Sequence, residues 1–387
     1  VNFQLTEEQE MIRRAAAEFA DKQIRPHVRS WDRDAHFPRE VFHIAGELGF
    51  LGVLVPEEYG GSGLGYQEYV LIIEEIAKVC PAIGLSVAAH NSLCTGHILQ
   101  HGSEAQKRRY LPKLAKGEWI GAWGLTEPTA GSDAGGTRST ARRDGDQWVL
   151  NGSKTFTTHG SVGDIAVLMA STDQSKKHHG ISAFIVERST YGYSVGKHED
   201  KLGMRASDTA EVVLSDCRIP SDHLIGKPGE GFKQAMEVLD GGRISIAALA
   251  VGTAAGAYGH ALKYAREREQ FGSPIGTFQA VGFMLANMAT EVDAARLMTM
   301  RCAWMKDHGQ KTTRESAMAK LYSSEVGVRV CNDAVQVFGG YGFVKDYPVE
   351  KYYRDVKLCT IGEGTSEIQR LVIAREILGR LKSGVGV

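Results

Sequence analysis

Leu5, Met11, Ile12, Ala15, Phe19 and Ile24 recur at helical spacing near the start of the chain. Apolar residues three and four apart line one face of a helix, so an amphipathic helix is predicted there. Thr6 with Gln9 makes a capping box, in which two side chains accept from otherwise unpaired backbone N–H groups. Pro26 falls near the end of this helix, and Pro38, Pro56 and Pro81 punctuate more helical sequence up to about residue 118. From about residue 119 the pattern changes to strands. Asp144-Gly145 separates STARR from QWVL, and Asn151-Gly152 separates QWVL from SKTFTT. Both dipeptides tolerate positive φ at low cost, so both predict hairpin turns. DIAVLMAS, ISAFIVE and AEVVLSD follow as further strands, and the region reads as a small antiparallel barrel or sandwich. Helices return at about residue 231, with long candidates at 231–270, 278–308 and 314–338, the last capped by Gly339. The expectation is an α+β multi-domain chain: a helical unit over 1–118, a β unit over 119–230 and a second helical unit over 231–387.

A length of 387 residues suits two or three structural units better than one core. The chain is 43% hydrophobic and 24% charged, a globular profile. A net charge of -1 gives no electrostatic reason for a nucleic-acid or anionic-membrane partner. No uninterrupted apolar run approaches the roughly 18 to 20 residues of a membrane span. The six cysteines are far apart and form no C-x-x-C, which disfavours zinc or a disulfide framework and suits a reducing compartment. The opening VNFQLTEEQEMIRR reads as an acidic helix rather than a signal, and the closing SGVGV is not a peroxisomal S-K-L. The expected location is the cytoplasm of a bacterium, or a mitochondrial matrix after removal of a transit peptide.

Several chemistries are disfavoured. There is no G-x-G-x-x-G for a Rossmann dinucleotide site and no H-E-x-x-H for zinc. Gly192-Tyr193-Ser194-Val195-Gly196 satisfies G-x-S-x-G, but a nucleophile elbow needs a helix after it, and loop-like KHEDKLGMRASD follows. His178-His179 beside Lys176 and Lys177 reads as a solvated loop, so no metal is expected.

The strongest chemical signal is the segment from Gln336 to Arg370, QVFGGYGFVKDYPVEKYYRDVKLCTIGEGTSEIQR. Glu363 stands between Gly362 and Gly364, so a flat ligand can approach the backbone while the carboxylate reaches for a proton. A second corner, Gly339-Gly340, lies upstream, and Trp123-Gly124-Leu125-Thr126-Glu127-Pro128-Thr129-Ala130-Gly131-Ser132-Asp133 opens the β unit. Together these segments resemble the acyl-CoA dehydrogenase family, flavoenzymes that desaturate acyl-CoA thioesters between Cα and Cβ. The similarity extends over nearly the whole chain.

That resemblance implies a helical N-terminal domain, a β middle domain, a C-terminal four-helix bundle and FAD. It makes Glu363 the base that removes the α-proton while hydride passes to the flavin. Trp123, Leu125, Thr126 and Gly131 fall in the loop that binds the flavin edge, and Ser132 lies where flavin meets the CoA thioester arm. Phe156, Thr157 and Thr158 match the strand against the isoalloxazine, with the Thr158 hydroxyl near N5, where a hydrogen bond stabilises arriving charge. Arg268, Phe271 and Gln279, with Gln336, Val337, Phe338, Gly339 and Gly340, resemble segments that bind FAD across a subunit interface. Arg suits a diphosphate through its planar fork. Thr365, Ser366 and Glu367 become cofactor contacts and Gly364 a substrate contact. From composition, Asp240-Gly241-Gly242-Arg243 opens a helix with an N-cap Asp and a salt-bridged Arg; the family reading puts Asp240 and Arg243 against CoA. Gly242 excludes the subgroup whose base immediately precedes that Arg. Electron-transferring flavoprotein and a homotetramer are the implied partners. An oxidase that passes electrons to oxygen, or a silent binding module, are the alternatives.

Overall fold

The computed structural model describes residues 4–379. Residues 1–3 and 380–387 of the expected outer units, with the SGVGV end, lie outside the described residues.

Seven α-helices come first: α1 Glu7–Phe19, α2 Val28–Asp34, α3 Arg39–Glu47, α4 Tyr66–Val79, α5 Pro81–Ala89, α6 Gly96–His101 and α7 Glu104–Ala115. The predicted capping box opens α1, with Gln9 N donating to Thr6 Oγ1 at 3.1 Å and Thr6 N to Gln9 Oε1 at 3.2 Å. Helix α5 is buried all round, and most of α4 is buried with it.

The strands follow: β1 Gly121–Gly124, β2 Thr140–Asp144, β3 Gln147–Thr158, β4 Ile165–Ser171, β5 Ile181–Glu187, β6 Tyr193–His198, β7 Thr209–Pro220 and β8 Leu224–Ile225. They form one eight-stranded sheet in the order β6-β7-β3-β2-β4-β5-β8, with β1 on β4. Pairing is antiparallel except that β1 and β2 each meet β4 in parallel. The turn at Gly145 joins β2 to β3 as expected. Asn151-Gly152 does not turn the chain. It lies inside β3, where the register against β7 shifts between Leu150 and Gly152 and Gly152 takes φ 142°. Positive φ serves a bulge as well as a hairpin, and the long partner β7 carries the ladder past both sides of it. Ser194 lies within β6 with no helix after it, so it forms no nucleophile elbow.

The last helices are α8 Gly231–Glu267, α9 Gln279–Asp307, α10 Thr313–Phe338, α11 Val349–Val356 and α12 Ser366–Leu378. Helices α8, α9 and α10 pack on one another, and α12 packs on α10. The architecture is therefore a helical region, a mixed sheet and a helical bundle, the expected class. Asp240 does not open a helix. It sits inside α8, which begins at Gly231. The two helical regions are not independent cores: Tyr69, Ile72, Ile73 and Ile76 of α4 share one apolar cluster with Ile244, Ile246 and Leu249 of α8. Gly252 makes this close approach possible, since a Cβ there would meet the Glu74 carbonyl oxygen at 2.4 Å. By length and composition α8 could cross a membrane, yet 83% of its apolar window is buried inside the protein. Its apolar character is spread over alanines and glycines, which is why no uninterrupted run announced it.

Candidate functional site

Glu363 stands on a tight turn between the end of α11 and α12. Its φ is 52° and that of Gly364 is 92°, two consecutive left-handed residues. A non-glycine residue held there is strained and needs surroundings that enforce it. Lys320 of α10 donates from Nζ to the Gly364 carbonyl at 2.6 Å. Gln369 of α12 donates from Nε2 to the same oxygen at 2.9 Å and to the Glu363 carbonyl at 3.2 Å. Thr365 caps α12, its hydroxyl accepting from Ile368 N at 3.3 Å. Side chains from two helices thus converge on the Gly364 carbonyl and pin the turn.

The Glu363 carboxylate points at α8. A Cβ placed on Gly242 would lie 2.0 Å from Oε2, so only glycine leaves room for this rotamer. Oε2 is sealed from solvent and has no hydrogen-bond partner among the described residues. Burial pushes Glu363 up to about 7, against the opposing pull of Lys320 and Arg243. A carboxylate that titrates near neutrality is a competent general base. Arg243, 5% exposed, pairs with Asp240, which also accepts from the Thr313 hydroxyl at 2.8 Å, while Arg243 Nε is buried without a partner among the described residues. Asp240, Arg243 and Glu363 are therefore brought together, and a free donor and a free acceptor face the same region.

The Trp123–Asp133 loop and β3 are also brought together. Thr155 N donates to the Thr126 carbonyl at 2.9 Å. Lys154, wholly buried, donates to Glu127 at 2.6 Å and to the Leu125 carbonyl at 3.3 Å. Glu127 in turn accepts from the backbone N–H of Arg138 and Ser139. This clamp holds Leu125 and Thr126 beside Phe156, Thr157 and Thr158. Phe156 is 65% exposed with φ 54°, and Thr157 Oγ1 is buried with no partner among the described residues. Gly131 faces open space and Ser132 is exposed. The Trp123 indole is committed elsewhere, its Nε1 donating to His97 at 3.1 Å. An exposed aromatic wall, a free buried hydroxyl and an open glycine loop fit a flat cofactor with a polar edge.

A second group forms at the end of the bundle. The Arg268 guanidinium lies 5.4 Å from the centre of the Tyr341 ring. Phe271 is 95% exposed and Phe343 88%, and Gln279, Gln336, Gly339 and Gly340 are exposed as well. The side chains of Val337 and Phe338 are buried, Phe338 stacked on Tyr264, so only their backbone can serve a ligand. Thr365 is half-buried, Ser366 buried and Glu367 exposed.

Sequence reasoning gave no role to Lys320, Gln369 or Lys154. Each is a polar side chain on the inward face of its element, a signal that registers only once the element's orientation is known.

A carboxylate oxygen sealed from solvent without a partner among the described residues, on a strained turn and titrating near neutrality, is the equipment of an acid–base enzyme. The three models of the acyl-CoA dehydrogenase N-terminal, middle and C-terminal domains match residues 6–118, 122–217 and 229–378, so the chain belongs to the acyl-CoA dehydrogenase family. The probable acyl-CoA dehydrogenase YngJ of Bacillus subtilis is 50% identical, over 98% of this chain and 100% of its own. A chain from the structural work on the electron transferring flavoprotein of Acidaminococcus fermentans is 48% identical with TM-score 0.97, covering 98% of this chain and 100% of that one. Butyryl-CoA dehydrogenase of Megasphaera elsdenii is 41% identical with TM-score 0.96, at the same coverage. The protein is a flavoprotein oxidoreductase, an acyl-CoA dehydrogenase whose cofactor is FAD.

Proposed function

We propose that this enzyme oxidises a short, straight-chain acyl-CoA to its trans-2-enoyl-CoA and passes the electrons to electron-transferring flavoprotein. The observation that carries the reading is the sealed, unpartnered Oε2 of Glu363 opposite Gly242. Glu363 accepts an α-proton of the thioester. FAD, when bound, supplies the acceptor for the β-hydride. Leu125, Thr126, Gly131, Ser132 and the Phe156–Thr158 stretch hold the flavin, Trp123 backing the loop through His97. Thr365, Ser366 and Glu367 complete that side. Asp240, Arg243, Ser132 and Gly364 face the thioester and CoA arm. Substrate that displaces water from this site strengthens every charge interaction in it.

Butyryl-CoA as the substrate of the Megasphaera relative supports the short acyl group. The Acidaminococcus match supports the electron acceptor. The decisive experiment mixes oxidised enzyme anaerobically with straight and branched acyl-CoAs of increasing length and follows flavin bleaching. Fastest bleaching by a four-carbon straight chain is expected. Preference for long or branched chains overturns the substrate, and peroxide release matching turnover makes the enzyme an oxidase.

The units that carry these roles are 1–118, 119–230 and 231–387. Their assembly is proposed as a homotetramer in which Arg268, Phe271, Gln279 and the Gln336–Gly340 segment of one subunit complete the FAD site of another. Exposed Phe271 and Phe343, flanking the Arg268–Tyr341 contact in sequence, support this, because apolar patches of this kind favour burial at an interface. Arg268→Ala is expected to lose FAD and assembly together. Sedimentation of a stable monomer with FAD fully retained would refute it. The six cysteines are free and buried, in keeping with a reducing compartment, the bacterial cytoplasm or mitochondrial matrix.

A further inference from the structure

We propose that Lys320, sealed beneath the turn that carries Glu363, is a positioning residue that fixes that turn through the Gly364 carbonyl and holds Glu363 in its proton-accepting form. The proposal rests on the reading of Glu363 as the base.

Lys320 is 0% exposed, and lysine is almost never fully buried without an anionic partner. The buried Lys154 and Lys351 are paired with Glu127 and Asp355, whereas the Lys320 ammonium has no carboxylate within 4 Å among the described residues. The bond it does make is to the Gly364 carbonyl at 2.6 Å, one peptide unit from the base. A buried cation without a paired anion is costly. The anion within its field is Glu363, and burial pushes Lys320 down to about 8 with Glu363 among the groups opposing the fall.

The other groups facing the pair do not take over this role. Arg243 of α8 is a second cation, but Asp240 on the same helix is paired with it. Tyr69 of α4 and Cys359 of the preceding turn are pushed up by burial, Cys359 to about 12, and stay neutral across the working range. Glu367 of α12 is exposed and held below the usual carboxylate range, so it stays charged throughout. Between pH 6 and 9 the charge balance at the turn is therefore set by Lys320 and Glu363.

The geometry separates two functions of one side chain. The hydrogen bond to Gly364 stabilises a left-handed pair of residues that aims the carboxylate at α8. The positive charge favours the ionised carboxylate, the form able to take a proton. Lys320→Gln keeps a donor for the carbonyl and removes the charge; Lys320→Met removes both.

With Lys320→Gln, the apparent pKa governing the acid limb of kcat/KM should rise by about one pH unit, since an opposite charge nearby lowers a carboxylate by about 1–3. Activity then falls about tenfold at pH 6.5 and stays within about twofold of the parent at pH 9. The infrared carboxylic-acid band that disappears in Glu363→Gln should persist to correspondingly higher pH, a readout independent of turnover. FAD content and thermal midpoint report whether the fold is intact. Lys320→Met should add a loss at all pH values. A uniform loss in Lys320→Gln, with the limb and the infrared titration unmoved, overturns the proposal. Failure of the underlying reading looks different: Glu363→Gln would then reduce flavin at a normal rate, whatever the Lys320 variants do.

Discussion

Glu363→Gln is expected to slow flavin reduction by acyl-CoA by at least the roughly 10²–10⁴-fold that a general base commonly contributes. Gln preserves the shape of the side chain but cannot accept the α-proton, and among the described residues no second carboxylate lines Gly242. FAD content and acyl-CoA affinity should change little. In the parent enzyme the rate should rise with pH through about 7, because the competent form is the carboxylate and burial holds its titration there. The variant should lose that limb. Rapid mixing under nitrogen at several pH values checks both statements, and near-normal reduction by Glu363→Gln would remove Glu363 as the base. Moving the base is the sharper form of the same test. A side chain at Gly242 begins 2.0 Å from the Glu363 carboxylate, so Gly242→Glu must be combined with Glu363→Gly to make room. That pair should recover part of the activity that Glu363→Gly alone loses.

The second large effect concerns stability and cofactor together. Lys154→Ala should cost about 3–5 kcal/mol, because it strands the charge of Glu127 at a site only 5% exposed. The same change frees the Leu125 carbonyl and loosens the loop from β3, so FAD should be retained poorly. Burial opposes the ionised form of Glu127, and Lys154 outweighs it, holding the carboxylate below its usual range. The pair's contribution is therefore present above the ordinary carboxylate pKa and fades as pH falls through the depressed one. Chemical denaturation of apo and FAD-loaded protein measures the two losses separately. An unchanged midpoint in both would show that the pair is dispensable.

Much of this was legible because hydrophobic periodicity and turn chemistry act locally. Helices α9 and α10 begin and end within a residue or two of the predicted limits, and Gly339 does cap α10. The Asn151-Gly152 reading failed for a physical reason: the dipeptide reports tolerance of positive φ, and a bulge uses that tolerance as well as a turn does. Asp240 failed similarly, since an acidic residue before two glycines suits a helix start, yet packing of α4 against Gly252 carries α8 straight through. Glu363 was legible through its flanking glycines. Its support was not, because Lys320 and Gln369 reach it from helices whose rotation only the folded packing decides.

The core shared between α4 and α8 also orders events during synthesis. Helix α5, buried on every side, is complete at Ala89, but Ile244–Ala250 of α8 do not leave the ribosome until roughly 155 residues later. At about 5–20 residues per second, that interval is roughly eight to thirty seconds. Throughout it the first helices can pack on one another but the face of α4 that meets α8 stays uncovered, while the strands between them emerge. A nascent chain of this protein thus carries an uncovered greasy surface for longer than it takes the sheet's own strands to emerge. Holding factors at the ribosome have at least that window in which to protect it.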